Sequence, residues 1–587
     1  MFEVEQHEVE AQLVRYAAGQ GLPEASFNWA WIPFNGHWGI ATSFFQLAAQ
    51  EARQGKKINV PQRSQELAEG AAAYLGQPAG FERVEAVKGY LNLYFSAGEY
   101  ARRVLDAVLS EGDRFGAGNP KRERVMVEFS QPNTHKAFHV GHLRSAILGD
   151  TLCRILDFAG YDVVRANYPG DMGLHVIKWL WNYMKYHAGE RPQKDITQWM
   201  GALYAEASRR LEEHPEAEAE VRELYARWDR RDPDVVALWK ETRQWSLDGF
   251  NEIYDQLGIR FDRYYFNSMA EQPGKAVVDE LIARGIAEDG RPEGPVIVKI
   301  DEKLGLKSEK YRVLVALRSD NTALYATEDL ALAKMKFADY PDMVHSYYVV
   351  DVRQSLHFQQ VFKTLELAGY PWASRCEHIP YELVNLPGNV VMASREGTVV
   401  LLEDLLREAY ARALEVVEQK NPDLDPAQKQ AVARAVGIGA IKYPMLAREN
   451  AKVVTFDWQS ALDFNGQAAP YIQYAHVRAN SILRKAGGQV PPSLPVDFPL
   501  APAEIQLVDL ISRLPKEVQR VAAELKPLTI CNMAYELART FTEFYSECPV
   551  LSAEEPVRSN RLRLVAATRQ AIANLLGLLG ITAPEAM

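Results

Sequence analysis

The residues in this chain best equipped for chemistry lie in one run, Asn133-Thr134-His135-Lys136-Ala137-Phe138-His139-Val140-Gly141-His142. It combines two imidazoles three positions apart, a glycine between them and a lysine upstream. The run falls where a strand gives way to a helix, so His139 and His142 sit near a helix N-terminus, the end that collects anions. Gly141 leaves no side chain between the rings, so a flat base or a phosphate chain can approach the backbone there. A nucleoside triphosphate fits that description. Taken alone, such a histidine pair is more often incidental or metal-directed than nucleotide-directed, so its surroundings have to decide.

The elements that must position these residues form a βαβ unit. Arg124 to Ser130 reads as a strand, residues 142–158 carry helical spacing, and Tyr161 to Asn167 reads as a second strand. Residues 187–245 are dense in Glu, Arg and Trp at helical periodicity and lack strand signals, which predicts a helical insertion. Strand patterns resume at Val296 to Ile300, at Tyr311 to Arg318 and at Ser346 to Asp351. Residues 119–400 are therefore expected to form one α/β domain with insertions. Before it, residues 1–118 mix helix and strand patterns, including Val84 to Val87 and Tyr90 to Phe95, and predict a small α/β or α+β domain closed by the turn-rich run Phe115 to Arg122. Beyond Leu401 the pattern is helical: a linker over 401–454, then an all-α domain over 455–587 interrupted by the Pro-rich stretch Pro491 to Pro502. The last helix carries Val565, Ile572, Leu575 and Leu579 on one side.

At 587 residues, with 47% hydrophobic and 24% charged, the chain has the composition of a large globular protein and excludes disorder, collagen and low complexity. Its formal charge of −11 disfavours holding nucleic acid by bulk electrostatics, so a polyanionic partner needs local basic or stacking sites. Cys153, Cys376, Cys531 and Cys548 are too scattered for a disulfide framework or a Cys-rich zinc site, which fits a reducing cytosol. The acidic N-terminus lacks a signal-peptide pattern and no apolar run approaches a membrane span, so a soluble, unprocessed cytoplasmic protein is expected. The sequence contains no internal repeat and no Walker-type phosphate loop.

The histidine run resembles the His-Ile-Gly-His motif of class I aminoacyl-tRNA synthetases, whose catalytic domain is Rossmann-like. A longer match is narrower. Glu128-Phe129-Ser130-Gln131-Pro132-Asn133, then Lys136 three residues before His139, then His-Val-Gly-His-Leu-Arg-Ser, looks like arginyl-tRNA synthetase. Asn167 to Gly173 and Leu317 to Asp329 extend that likeness, and it runs in register to the end of the chain.

The resemblance implies an arginine site. A guanidinium is planar, permanently charged and carries five donors, so a selective pocket needs carboxylates placed for forked hydrogen bonds. Tyr325 and Asp329 are four apart and share a face if their segment is helical. In the family, positions matching Glu128, Tyr325 and Asp329 contact the arginine side chain, and those matching Asn133 and Gln354 hold its amino acid end. A pocket built on buried hydrogen bonds rejects lysine by roughly 10⁴-fold or more, so no editing domain is required.

One departure stands out. Class I synthetases usually carry a Lys-Met-Ser-Lys-Ser loop, and the corresponding stretch here, Val391-Met392-Ala393-Ser394-Arg395, has Val391 and Ser394 at the lysine positions. Many arginyl enzymes lack the loop lysine and carry one just before the His-x-Gly-His motif, so Lys136 is the expected substitute cation and Arg395 a weaker candidate. ATP is thus expected to meet Lys136, His139, Gly141, His142, Met392, Ser394 and Arg395, with Lys136, His139 and His142 as the catalytic residues.

Tyr471, Tyr474 and Arg478 follow i, i+3, i+7 spacing on one helical face, and aromatics with an arginine can stack unpaired bases. They fall in the segment that resembles the anticodon-binding domain of the arginyl, cysteinyl and methionyl group. Tyr90 and Asn92 fall in the segment resembling the added domain that contacts the tRNA D-loop. The resemblance implies an arginine-tRNA ligase with ATP, L-arginine and tRNA(Arg) as partners, magnesium accompanying the ATP, no protein-bound metal, no zinc and no membrane, with monomer the family default. It also implies that tRNA binds before arginine is activated. A cysteinyl enzyme would need zinc ligands in the pocket that isolated Cys153 and Cys376 do not supply. A catalytically inactive RNA-binding or arginine-sensing relative is the alternative that the altered loop raises.

Overall fold

The computed structural model describes residues 2–22, 25–54, 58–387, 390–391 and 400–587. They form two compact units. One comprises Met1–Phe115, Ala475–Leu514 and Glu536–Asn574, and the other Gly116–Tyr474, Pro515–Tyr535 and Leu575–Met587.

The second unit is built on a five-stranded parallel sheet. Its strands are β1 (Arg124–Glu128), β2 (Asp162–Asn167), β3 (Arg263–Tyr264), β4 (Met343–Asp351) and β5 (Cys376–Tyr381). They lie in the order β5-β4-β1-β2-β3, every neighbouring pair parallel. Val125, Met126 and Val127 of β1 are fully buried, as expected where helices cover both faces of a parallel strand and its apolar run is continuous. The helix α1 (Val140–Phe158) joins β1 to β2 and is buried through most of its length. From β1 the chain builds the sheet outward through β2 and β3, then returns to the other side of β1 as β4. The strand order therefore reverses between β1 and β4. In open α/β sheets ligands bind in the crevice at the carboxyl ends of such a pair. This is a Rossmann-like α/β fold.

Two insertions decorate it. The helix α2 (Leu174–Tyr186) opens a helical run continued by Ile196–Glu213, Glu218–Asp229 and Pro233–Leu257, extending beyond the 187–245 span expected from sequence. Its core is rich in tryptophan, with Trp179, Trp181, Trp228 and Trp239 buried. The expected strands near 296–300 and 311–318 exist, at Val296–Lys299 and Val313–Leu317, but they do not join the parallel sheet. With Glu288–Asp289 they make a separate antiparallel sheet. This sheet packs with α3 (Tyr325–Asp339) and α4 (Ser355–Leu367) around Val298, Leu314, Leu330 and Val361.

After residue 400 the chain is helical except for the two-residue strand Val454–Thr455, which pairs with Val384–Leu386. In the first unit, strands Trp29–Trp31, Gly39–Ser43, Phe81–Val87 and Tyr90–Phe95 form an antiparallel sheet, so this part is α+β. Within that unit, Trp38 Nε1 donates to Asp509 Oδ1 at 3.0 Å and its ring stacks on Tyr100 at 4.3 Å.

Candidate active site

The turn from β1 into α1 places the histidine pair. His139 is the N-cap of α1, and its Nδ1 accepts a hydrogen bond from the Gly141 amide at 3.1 Å. The rings of His139 and His142 stack with centroids 4.1 Å apart. Burial, then the charge of Lys136, pushes His139 below the usual imidazole range, and burial, then His139, pushes His142 well below it. Both are therefore neutral at physiological pH, and His142 Nδ1 is buried without a hydrogen-bond partner among the described residues. The Lys136 ammonium lies 5.0 Å from the ring of Tyr204 and makes no ion pair among the described residues. A third imidazole, His175 near the start of α2, is lowered to about 3, by burial first and then by Lys136. One cation thus faces three neutral imidazoles at two helix N-termini, an arrangement suited to a polyanion. The far side of the turn is held by residues 400–402: the Val140 amide donates to the Val400 carbonyl at 3.3 Å and the Leu402 amide to the Phe138 carbonyl at 3.0 Å.

The turn itself is irregular. Ser130, Gln131 and His135 adopt positive φ angles of 78°, 44° and 60°, values that L-residues reach only when surrounding structure imposes them. Ser145 Oγ accepts from the Ser130 amide at 3.0 Å and donates to the Val349 carbonyl at 3.0 Å, tying α1 to both central strands. Asn167 accepts from the Gln131 amide at 3.1 Å. His135, buried and neutral, bonds Thr242 of the helical insertion at 2.8 Å. Asp171, fully buried, accepts from Arg243 and from the amide and hydroxyl of Ser268.

The carboxylates expected to read arginine sit on β1 and on α3, two elements that the ion pair of Lys336 on α3 with Glu128 links. Glu128 ends β1 and is 2% exposed, and Asp329 lies on α3. The hydroxyls of partly buried Tyr168 and fully buried Tyr348 are pushed well above the ordinary phenol range, first by desolvation and then by nearby charges that in both cases include Glu128 and Asp329. Each carboxylate already has an internal partner. Lys336 Nζ lies 2.5 Å from Glu128 Oε2, an ion pair whose angles are not those of a hydrogen bond, and the Gln131 side-chain Nε2 donates to Oε1 at 3.1 Å. His357 Nε2 lies 2.5 Å from Asp329 Oδ2.

Asn133 pairs with Gly170 in an isolated parallel bridge. Tyr325 and Asp329 share α3, but Tyr325, its first residue, is 80% exposed and is not enclosed with the two acids. Gln354, which precedes α4, is also exposed. Met392, Ser394 and Arg395 lie outside the described residues. Tyr90 and Asn92 project from one face of their strand, while Leu91 and Leu93 are buried on the other. Tyr471, Tyr474 and Arg478 fall on the helix Ala469–Lys485, with Tyr471 against the ring of Tyr535 at 5.4 Å and Arg478 over that of Tyr545 at 5.5 Å.

Sequence reasoning missed Lys336, His357, Tyr168 and Glu328. Glu328 accepts a hydrogen bond from Asn267 and is pushed up to about 8, chiefly by burial, with Asp329, Glu271 and Asp171 adding to the rise. Only the i, i+7 relation of Asp329 and Lys336 on a helix signalled that they share a face. Among the described residues no cluster of three His, Cys, Asp or Glu is placed to hold a metal, and no helix is long and apolar enough to cross a membrane.

Comparison with known proteins bears on this geometry. The family model for the catalytic domain of class I (R) tRNA synthetases matches residues 104–458, and that for the DALR anticodon binding domain matches 472–587. An arginine–tRNA ligase of Clostridium perfringens is 37% identical over 514 residues, covering 86% of this chain and 88% of its own length. One from Alkaliphilus metalliredigens is 33% identical over 526 residues, covering 89% and 90%. Among solved structures, Thermus thermophilus arginyl-tRNA synthetase is similar with a TM-score of 0.76 at 28% identity, covering 99% of this chain and 100% of its own. The Plasmodium falciparum enzyme shares the fold, with a TM-score of 0.71 at 20% identity and 99% of both chains covered.

Proposed function

The chain belongs to the arginyl-tRNA synthetase family, and from that premise we propose how its residues divide the work of charging tRNA with arginine. It is an arginine–tRNA ligase of class I that uses ATP as a substrate, and the similarity along nearly the whole chain disfavours an inactive relative. In the first step the arginine carboxylate attacks the α-phosphorus of ATP, forming arginyl adenylate and releasing pyrophosphate. In the second the 2′-hydroxyl of the terminal adenosine of tRNA(Arg) attacks the acyl carbon and AMP leaves.

Glu128 and Asp329 grip the guanidinium, Asn133 and Gln354 hold the amino acid end, and Tyr325 contacts the side chain from the start of α3. His139 and His142, with Gly141 between them, receive the nucleotide, and Met392, Ser394 and Arg395 complete its surroundings. Because burial keeps the two imidazoles neutral, they serve as hydrogen-bond donors, and Lys136 supplies the charge that stabilises the phosphates during in-line displacement. Magnesium enters with the triphosphate, held mainly by phosphate oxygens, as is usual for that ion. Tyr90 and Asn92 contact the tRNA D-loop, and Tyr471, Tyr474 and Arg478 the anticodon region. Residues 1–118 and 455–587 are the tRNA-reading domains, 401–454 the link, and the chain acts as a cytoplasmic monomer.

The observation that carries the site assignment is that Lys336 joins Glu128, at the end of β1, to α3, the helix that bears Asp329, while β1 itself leads into the turn that holds the stacked histidines. Aminoacylation by Lys136→Ala tests it. Turnover should fall about 100-fold while KM for arginine changes little, the signature of charge stabilisation used in the transition state. Undiminished turnover would remove Lys136 from the mechanism.

A further inference from the structure

Lys336 is the most deeply buried cation near the site and has no part in the chemistry so far described. Its side chain is wholly enclosed, its ammonium 2.5 Å from Glu128 Oε2 and 3.6 Å from the centroid of the Tyr348 ring. It sits seven residues after Asp329 on α3, so both lie on the same helical face, two turns apart. We propose that Lys336 is the positioning residue for arginine recognition: it ties Glu128 of β1 to the helix face that carries Asp329 and so fixes the separation of the two acids that a guanidinium must span. This rests on the reading that Glu128 and Asp329 bind the guanidinium.

Three physical arguments favour it. A lone buried ammonium is costly, and pairing with a buried carboxylate offsets that cost only when the geometry is maintained. The pair is therefore a rigid link between β1 and α3. Gln131 takes up one of the roughly four acceptor sites of the Glu128 carboxylate, and the ammonium of Lys336 crowds Oε2, so the directions from which a further donor can approach are restricted. A planar fork with several donors can use what is left and still reach Asp329, whereas the compact ammonium of a lysine substrate meets a carboxylate that already has one. Finally, Lys336 cancels one of the two negative charges, leaving a single excess charge for a monocation to neutralise.

The test is steady-state aminoacylation by Lys336→Met, Lys336→Arg, Glu128→Gln and the double variant Glu128→Gln/Lys336→Met, with KM for arginine and for ATP measured separately. Lys336→Met should raise KM for arginine roughly 10- to 100-fold, the loss expected for misplaced hydrogen bonds to a charged group. KM for ATP should stay constant, and Lys336→Arg, which retains the cation, should recover most of the loss. An unchanged KM for arginine in Lys336→Met overturns the proposal, as does an equal rise in both KM values, which would indicate a packing role alone. Should Lys336→Met fail to fold because Glu128 is left unpaired, the double variant removes both buried charges, and it should show the same KM for arginine as Glu128→Gln. A further rise beyond that single variant also overturns it. If Glu128→Gln itself leaves KM for arginine unchanged, the pocket assignment fails, independently of Lys336.

Discussion

At the scale of single residues, the site relies on burial to set protonation. Neutral His139 and His142 leave Lys136 as the cation of that turn among the described residues. Glu128 and Asp329 meet internal cationic or imidazole partners, whereas Glu328 beside them accepts from the neutral amide of Asn267 and is pushed from 4.5 up to about 8. A glutamate raised on folding favours the folded state most when protonated. Its contribution is complete below about pH 4.5 and disappears as the pH climbs through about 8. Glu328→Gln preserves an acceptor for Asn267 and removes the titration, so it should stabilise the chain by about 1–3 kcal/mol near pH 8 to 9 and leave stability near pH 4 unchanged. Thermal melts across that range check this; parallel curves for the two proteins would refute it. None of these protonation states was legible from residue type, because burial and neighbours decide them.

At the scale of elements, the loop between β1 and α1 does most of the positioning. Both flanking elements were evident in sequence, one from its continuous apolar run and the other from its helical spacing. The loop conformation was not, since it depends on Ser145 of α1, on Asn167 and Gly170 at and just beyond the end of β2, and on Thr242 of the helical insertion. Gly170 is the tightest of these: a Cβ there would lie 2.3 Å from Asn133 Oδ1. Gly170→Ala should therefore displace the Asn133 side chain, not the fold. Aminoacylation assays should find kcat/KM for arginine reduced about 10-fold, the worth of one hydrogen bond to a charged group, with the melting temperature nearly constant. Wild-type kcat/KM would mean that Asn133 does not touch the substrate. Which sheet the strands of residues 288–317 join was not legible, because strand periodicity does not reveal a strand's partner.

At the scale of the whole molecule, a net charge of −11 and a polynucleotide substrate are reconciled if RNA is read by stacking and shape at separate surfaces. Tyr474, 40% exposed on the helix Ala469–Lys485, is suited to that role. Tyr474→Ala should raise KM for tRNA(Arg) roughly 5- to 100-fold, the range for loss of one base stack, and leave KM for arginine unchanged. Aminoacylation with varied tRNA measures this, and an unaltered KM for tRNA would place anticodon contact elsewhere. The Thr327 hydroxyl, bonded to the Ala316 carbonyl, secures the start of α3 on the antiparallel sheet, so the insertion between β3 and β4 holds the helix that carries Asp329 from outside the Rossmann-like core.

The sequence by itself determined the family, the nucleotide motif, the run of catalytic-domain strands and the helical tail, because motif spacing and hydrophobic period are properties of contiguous residues. Only the tertiary structure decided that Glu128 meets Lys336, that Asp329 meets His357 and that Tyr325 stands exposed at the head of its helix. Those outcomes join residues far apart along the chain, and their energies depend on burial and distance, which exist only once the strands and helices have packed.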